Sequence, residues 1–322
     1  MTKPAARSGS LIDRFFFDWF PGEALGAVRF FFGIGLAIYL TIQFNQLFQV
    51  SPLGAQFHYT LPIWYFGLLG IDHLVPWANY AVFAGLIAAC ALFTLGKWTK
   101  PAIVAIIIAI FYLKGVRDSI SGDVHHREVP IVVCLLLFLF SKCDRSFGLD
   151  ARKYRSPMIE PWEASWPLRA MQLYIVMFYF WALMAKLRLA GFDWFTGGGR
   201  IQDMLISRAL RDGFNPDGTV VKLSMGYDLA HHPQAIFWIG GLVFLFELLS
   251  PAILFVRDVR LRVAYLIGAT IFHQANWFLM NVQFFFYPFV FVTFFNMAAV
   301  VRWFGGRLGL KRPARDAAAE GV

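Results

Sequence analysis

The chain has 322 residues, of which 58% are hydrophobic and 18% aromatic, only 15% carry charge, and the net charge is +9. A soluble protein carries roughly 25% charged residues, so this composition, with a mean hydropathy of +0.58, excludes an ordinary soluble fold. The basic excess does not point to nucleic acid, because Lys and Arg sit between apolar runs, as the charge bias of cytoplasmic loops requires.

Residues 1–23 read as a cytoplasmic or interfacial N-terminus, with an amphipathic piece at 11–20 halted by Pro21. About eight apolar runs follow, each long enough or nearly so for about 30 Å of hydrocarbon. They cover 24–47, 77–95, 102–113, 129–140, 168–187, 235–256, 263–280 and 282–303. The third and fourth are short, which fits tilt, extension by flanking residues or a partly re-entrant path. The expected class is therefore all-α: a polytopic helical bundle of an integral membrane protein, with one membrane domain over 24–304. The tail at 305–322 is basic, then small and polar, and reads as disordered. The first run is too long and too far into the chain for a cleavable signal.

With the N-terminus placed inside, most of the 29 Lys and Arg fall in inside segments, and the loop between the first two runs carries none. That bias predicts both termini cytoplasmic and a multi-pass protein of a cell (inner) membrane. The outside segment from 188 to 233 offers a hinge at Gly197-Gly198-Gly199, a surface helix at 200–211 and a turn at Asn215-Pro216-Asp217-Gly218. The glycine hinge lacks the strand, spacing and Lys-Ser/Thr of a phosphate loop. Cys90, Cys134 and Cys143 lie in spans or an inside loop, so no disulfide framework is implied.

This topology places all seven histidines on or near the outer side. His58, His73, His125, His126, His231 and His232 are compatible with interface-tolerant surface positions. Asp123, His125 and His126 are neighbours, but sequence neighbours do not make a convergent ligand set, and no metal is predicted. His273 differs, because it lies within an apolar run where an imidazole needs a partner. Asn276, three residues on, shares its helix face.

Arg29, Lys186 and Glu247 are the charges that matter inside or at the ends of runs. Arg29 cannot discharge, so it needs an acid, carbonyls or a wet cavity; Glu247 is one candidate partner. Glu247 itself reads as half of an ion pair or as a protonated acid. Lys186 ends a long apolar stretch, and is either an interfacial anchor or a base.

Several segments resemble the horizontally transferred transmembrane (HTTM) domain family, which includes the vitamin K-dependent γ-glutamyl carboxylases. They are Val28-Arg29-Phe30-Phe31-Phe32-Gly33, Ser146-Phe147-Gly148-Leu149-Asp150, Tyr179-Phe180 with Ala185-Lys186-Leu187, Trp194 with Gly197, Glu247, and Phe272-His273 with Asn276. His126 resembles a histidine at the start of the family's fourth span. The resemblance implies that Lys186 is the base that deprotonates vitamin K hydroquinone. Oxygen then yields a stronger base, which removes the γ-hydrogen of a glutamate, and the carbanion captures CO2. His126 would help position or protonate the reacting carbon, and His273, Asn276, Trp194, Arg29 and Glu247 would support the site. The implied partners are the bilayer, a membrane quinone, and a peptide or small-molecule substrate. Two departures stand out: Ala185 replaces a second lysine, and the animal carboxylases' large luminal domain has no counterpart after the eighth run. The alternative expectation is a non-catalytic membrane partner in peptide export or maturation, or a carrier.

Overall fold

The computed structural model describes residues 10–17, 20–49, 62–71, 76–121, 126–154, 159–195, 199–213, 225–280, 282, 284 and 287–307. Among them the chain is helical, with no strand. The helices are α1 (Leu11–Phe17), α2 (Glu23–Gln49), α3 (Trp64–Leu68), α4 (Pro76–Leu95), α5 (Thr99–Ser121), α6 (Val129–Phe140) and α7 (Pro161–Ala190). They continue with α8 (Arg200–Asp212), α9 (Met225–Ala230), α10 (Pro233–Leu249), α11 (Val259–Met280), α12 (Tyr287–Val290) and α13 (Met297–Arg307).

Among the described residues, five helical segments are long and apolar enough to cross a membrane: Glu23–Asn45, Trp77–Leu95, Thr99–Ser119, Pro161–Trp194 and Pro233–Leu254. The third apolar run, short in sequence, is lengthened by its flanks into the 23 residues of α5. The fourth stays at the 12 residues of α6. The run at 282–303 is not one helix: α12 gives way to a short 3-10 turn, Phe291–Phe294, before α13 begins. The hinge residues Gly197 and Gly198 and the Asn215–Gly218 turn lie outside the described residues.

The chain divides into two compact units, Met1–Ala170 with Val292–Val322, and Met171–Phe291. In the first, α2, α4 and α6 meet through an aromatic triad, with Phe32 5.3 Å from Phe138 and Phe93 5.6 Å from Phe138 between ring centroids. Edge-to-face rings at such separations add about 1 kcal/mol per pair beyond area burial.

The same unit is organised by helix ends. An α-helix leaves its first N–H and last C=O groups without partners, which is costly where water is scarce. Arg29, fully buried on α2, donates to the carbonyls of Phe93 and Thr94 in the last turn of α4, and to the carbonyl of Phe147. Lys100 does the same for α6, donating to Phe138 O at 3.0 Å, Leu139 O at 2.5 Å and Ser141 O. Both cations also oppose the negative end of a helix dipole.

Ser146–Asp150 serves the opposite ends. Gly26, in the first turn of α2, donates its N–H to Ser146 Oγ at 3.0 Å. Asp150 Oδ2 accepts from the Thr99 N–H at 2.9 Å and the Thr99 hydroxyl at 3.1 Å, at the start of α5. A Cβ on Gly96 or Gly148 would come within 2.6 and 2.7 Å of the Arg29 guanidinium, so both positions need glycine. Phe147 takes a left-handed φ of 45° to aim its carbonyl at Arg29, a conformation unfavourable for a non-glycine residue.

Burial favours the neutral Asp150 carboxyl, but hydrogen bonds from Lys153 and from the start of α5 outweigh it and hold the group down at about 2. An unfolded aspartate titrates near about 3.9.

Lys114 and Arg117 lie within α5. Lys114 pairs with Asp118, and Arg117 bridges Asp118 (3.2 Å) and Glu128 (2.6 Å). Their buried network joins the end of α5 to the turn before α6.

Arg29→Ala is expected to remove three charge-assisted hydrogen bonds and cost at least about 3 kcal/mol, read as a lower midpoint of thermal denaturation in detergent; an unchanged midpoint would refute its clamping role. Because the folded Asp150 carboxyl lies below its unfolded value, its stabilisation is present above pH ~4 and is lost as pH falls toward about 2. Asp150→Asn should flatten that acid limb of the stability curve.

Candidate functional site

The second unit holds a cavity of about 360 Å³, within the roughly 300–1,000 Å³ that small-molecule sites occupy. Four helices furnish most of its wall, with Leu229 of α9 and Trp194 beside them. Tyr179, Ala182 and Lys186 come from one face of α7, and Ile236, Val243 and Glu247 from one face of α10. The amphipathic α8 contributes Ile201, Met204, Leu205 and Arg208, and α11 contributes Phe272, His273 and Asn276. Leu205 packs with Ala230 and Ile236 in a buried cluster beneath α8. Gln202 holds α8 to α9, donating to Ala230 O at 2.6 Å.

The polar groups are few and mostly engaged with one another. Lys186 Nζ donates to Glu247 Oε1 in an ion pair, with the Glu247 side chain 1% exposed and that of Lys186 20% exposed. Glu247 Oε2 is buried and has no hydrogen-bond partner among the described residues. Tyr179 Oη and His273 Nε2 lie 2.6 Å apart in a hydrogen bond whose proton follows the imidazole tautomer. Phe246 sits 5.2 Å from the Tyr179 ring and stacks on Tyr265 at 5.1 Å, and Phe284 lies 5.3 Å from His273. Ser250 Oγ donates to the Val176 carbonyl at 3.1 Å and to Glu247 O at 2.8 Å, fixing the end of α10 against α7.

Five of the residues singled out in the sequence therefore line one cavity: Lys186, Trp194, Glu247, His273 and Asn276. His273 and Asn276 share a face as their spacing predicts. Lys186 is met by an acid rather than reaching for a headgroup layer. Arg29 and His126 belong to the first unit. There Arg29 is taken up by carbonyls, so it and Glu247 each have a partner other than the one anticipated. His126 is exposed at the turn before α6. Asp123 and His125 lie outside the described residues, and His231 and His232 are exposed. No group of three or more His, Cys, Asp or Glu stands close enough to hold a metal among the described residues.

Sequence reasoning missed Tyr179 as a partner of His273 and Arg208 as a wall residue. Tyr179 stands seven residues before Lys186, two helical turns along the same face. Arg208 continues the Ile201–Leu205 stripe by one turn.

An apolar chamber with an acid–amine pair at its polar end can take an amphiphilic ligand and handle a proton in a water-poor setting. The free lone pairs of Glu247 Oε2 can accept from a ligand hydroxyl. No family model matches the chain, and neither any curated protein nor any solved structure matches it. Fold and site together define a helical membrane protein with an apolar, polar-ended cavity in its second unit.

The pair is expected to behave as a unit. Lys186→Met strands a buried carboxyl, at a cost of about 3–5 kcal/mol, whereas Lys186→Met with Glu247→Leu regains most of that stability. A double-mutant cycle on thermal denaturation measures it, and additive losses would show that the two residues act independently.

Proposed function

We propose that this chain is a multi-pass protein of a cell (inner) membrane, with about eight crossings and both termini cytoplasmic, that performs vitamin K-dependent γ-carboxylase-like chemistry on a peptide or small substrate at the outer side. One observation carries the reading: Lys186, Glu247, Tyr179, His273 and Asn276 line a single apolar cavity. The residues fit a reduced quinone of the vitamin K type. Glu247 Oε2 offers an unused buried acceptor for a phenolic hydroxyl, Lys186 stands beside it, and Trp194, Phe272 and Phe284 supply wall for an apolar body. When bound, that group would supply the reducing power that oxygen consumes ahead of carbon–hydrogen cleavage, with CO2 as the carboxyl source.

The chain's own part is proton handling. A protonated Lys186 cannot act as a base. The pair becomes competent when its shared proton lies on Glu247, which leaves the amine neutral and removes both charges from the apolar chamber. The Tyr179–His273 bond holds the imidazole in one orientation at the chamber wall, and Asn276 adds a neutral donor and acceptor. The excluded water protects a reactive carbon from premature protonation. His126 belongs to the first unit and is not among the residues that line this cavity.

The second reading is a non-catalytic export or maturation partner, or a carrier. The observation that favours it is the closed Lys186–Glu247 pair, which satisfies the amine with no ligand.

Purified protein in nanodiscs, given reduced vitamin K and oxygen, should consume both. Lys186→Ala should lower that turnover by about 10²-fold or more, as loss of a positioned base does. Full turnover in the variant would remove Lys186 from the base role, and binding without turnover in the parent protein would select the carrier or partner reading.

A further inference from the structure

The cavity wall carries a third charge that the carboxylase-like reading leaves unused. Arg208 stands on α8 one turn beyond Met204 and Leu205, half-buried, with its side chain on the cavity lining. The other charges of the wall are settled: Lys186 and Glu247 neutralise each other, and His273 is engaged with Tyr179. No acid pairs with Arg208 among the described residues. Its own helix carries two acids: Asp203, exposed and five positions away, off the Arg208 face, and Asp212, four positions on, which ends the helix. A guanidinium cannot discharge, and beside an apolar wall it is stabilised by a planar anion that takes two of its N–H groups at once.

Resting on the reading of this cavity as the ligand site, we propose that it binds a single-chain amphiphile with a carboxylate head, the chain lying against Met204, Leu205, Ile236 and Val243 and the head paired with Arg208. Charge complementarity selects the head. The volume of about 360 Å³ lies near the lower end of ligand cavities, which suits one short chain rather than a two-chain lipid. Arg208 thus discriminates by charge, while the Lys186–Glu247 pair, with no net charge to offer, does not.

The test is equilibrium binding of radiolabelled decanoate and 1-decanol to the full chain in nanodiscs at mildly alkaline pH, with empty nanodiscs subtracted. Decanoate should bind about tenfold or more tightly than the alcohol, the increment of one charge-assisted pair. Arg208→Gln should abolish that preference while keeping 1-decanol binding, which shows that the cavity persists, and Arg208→Lys should keep part of it. Equal binding of the two probes by the parent chain overturns the proposal, as does a preference that survives Arg208→Gln. If neither probe binds but reduced vitamin K is still consumed, the anion site is wrong and the quinol reading stands. If nothing binds and nothing is consumed, both fall.

Discussion

The charge of Arg29 cannot be removed, and the first unit is built around satisfying it. A guanidinium buried to zero exposure in apolar surroundings needs acceptors, and Arg29 finds them for both of its terminal nitrogens. The acceptors nearest in kind are helix-terminal carbonyls, which themselves lack partners. One side chain on α2 therefore ties the last turn of α4 to the Ser146–Asp150 loop, and that loop returns Ser146 to the start of α2 and Asp150 to the start of α5. Gly96, Gly148 and the left-handed Phe147 are consequences of the same demand, because the backbone must come within reach of the guanidinium. Lys100 repeats the device at the end of α6.

The second unit obeys the same rule with a different outcome. Here the buried charges are an amine and a carboxyl, both able to lose their charge by sharing a proton. They need no ring of carbonyls, and the space around them stays open as a cavity. A permanent cation favours closure by backbone, whereas a dischargeable pair tolerates an apolar chamber. That difference separates an arginine closed in by backbone carbonyls from a lysine paired with an acid at a cavity wall.

The residues that share sequence motifs thus divide by what their neighbours require. Ser146-Phe147-Gly148-Leu149-Asp150 spends its hydroxyl, carbonyl and carboxylate on helix ends. Lys186, Glu247, His273 and Asn276 are placed at the wall of a chamber instead. Basic residues do local work in the same unit, since Arg29 and Lys100 close helix C-termini and Arg117 binds two acids.

The sequence by itself determined the helical membrane class, because apolar runs of this length leave backbone groups no partner except their own helix. It also placed His273 beside Asn276, and located the α8 surface helix from its apolar stripe, since helical periodicity is a local property. Only the tertiary structure decided the partners. Arg29 took carbonyls and Glu247 took Lys186, although sequence allowed the two to meet. The last apolar run broke between α12 and α13, and Tyr179 and Arg208 joined the cavity wall. Those outcomes depend on which helix faces meet across long stretches of chain, as Lys186 and Glu247 do at 61 positions apart. Hydropathy and spacing along a single segment carry no record of such meetings.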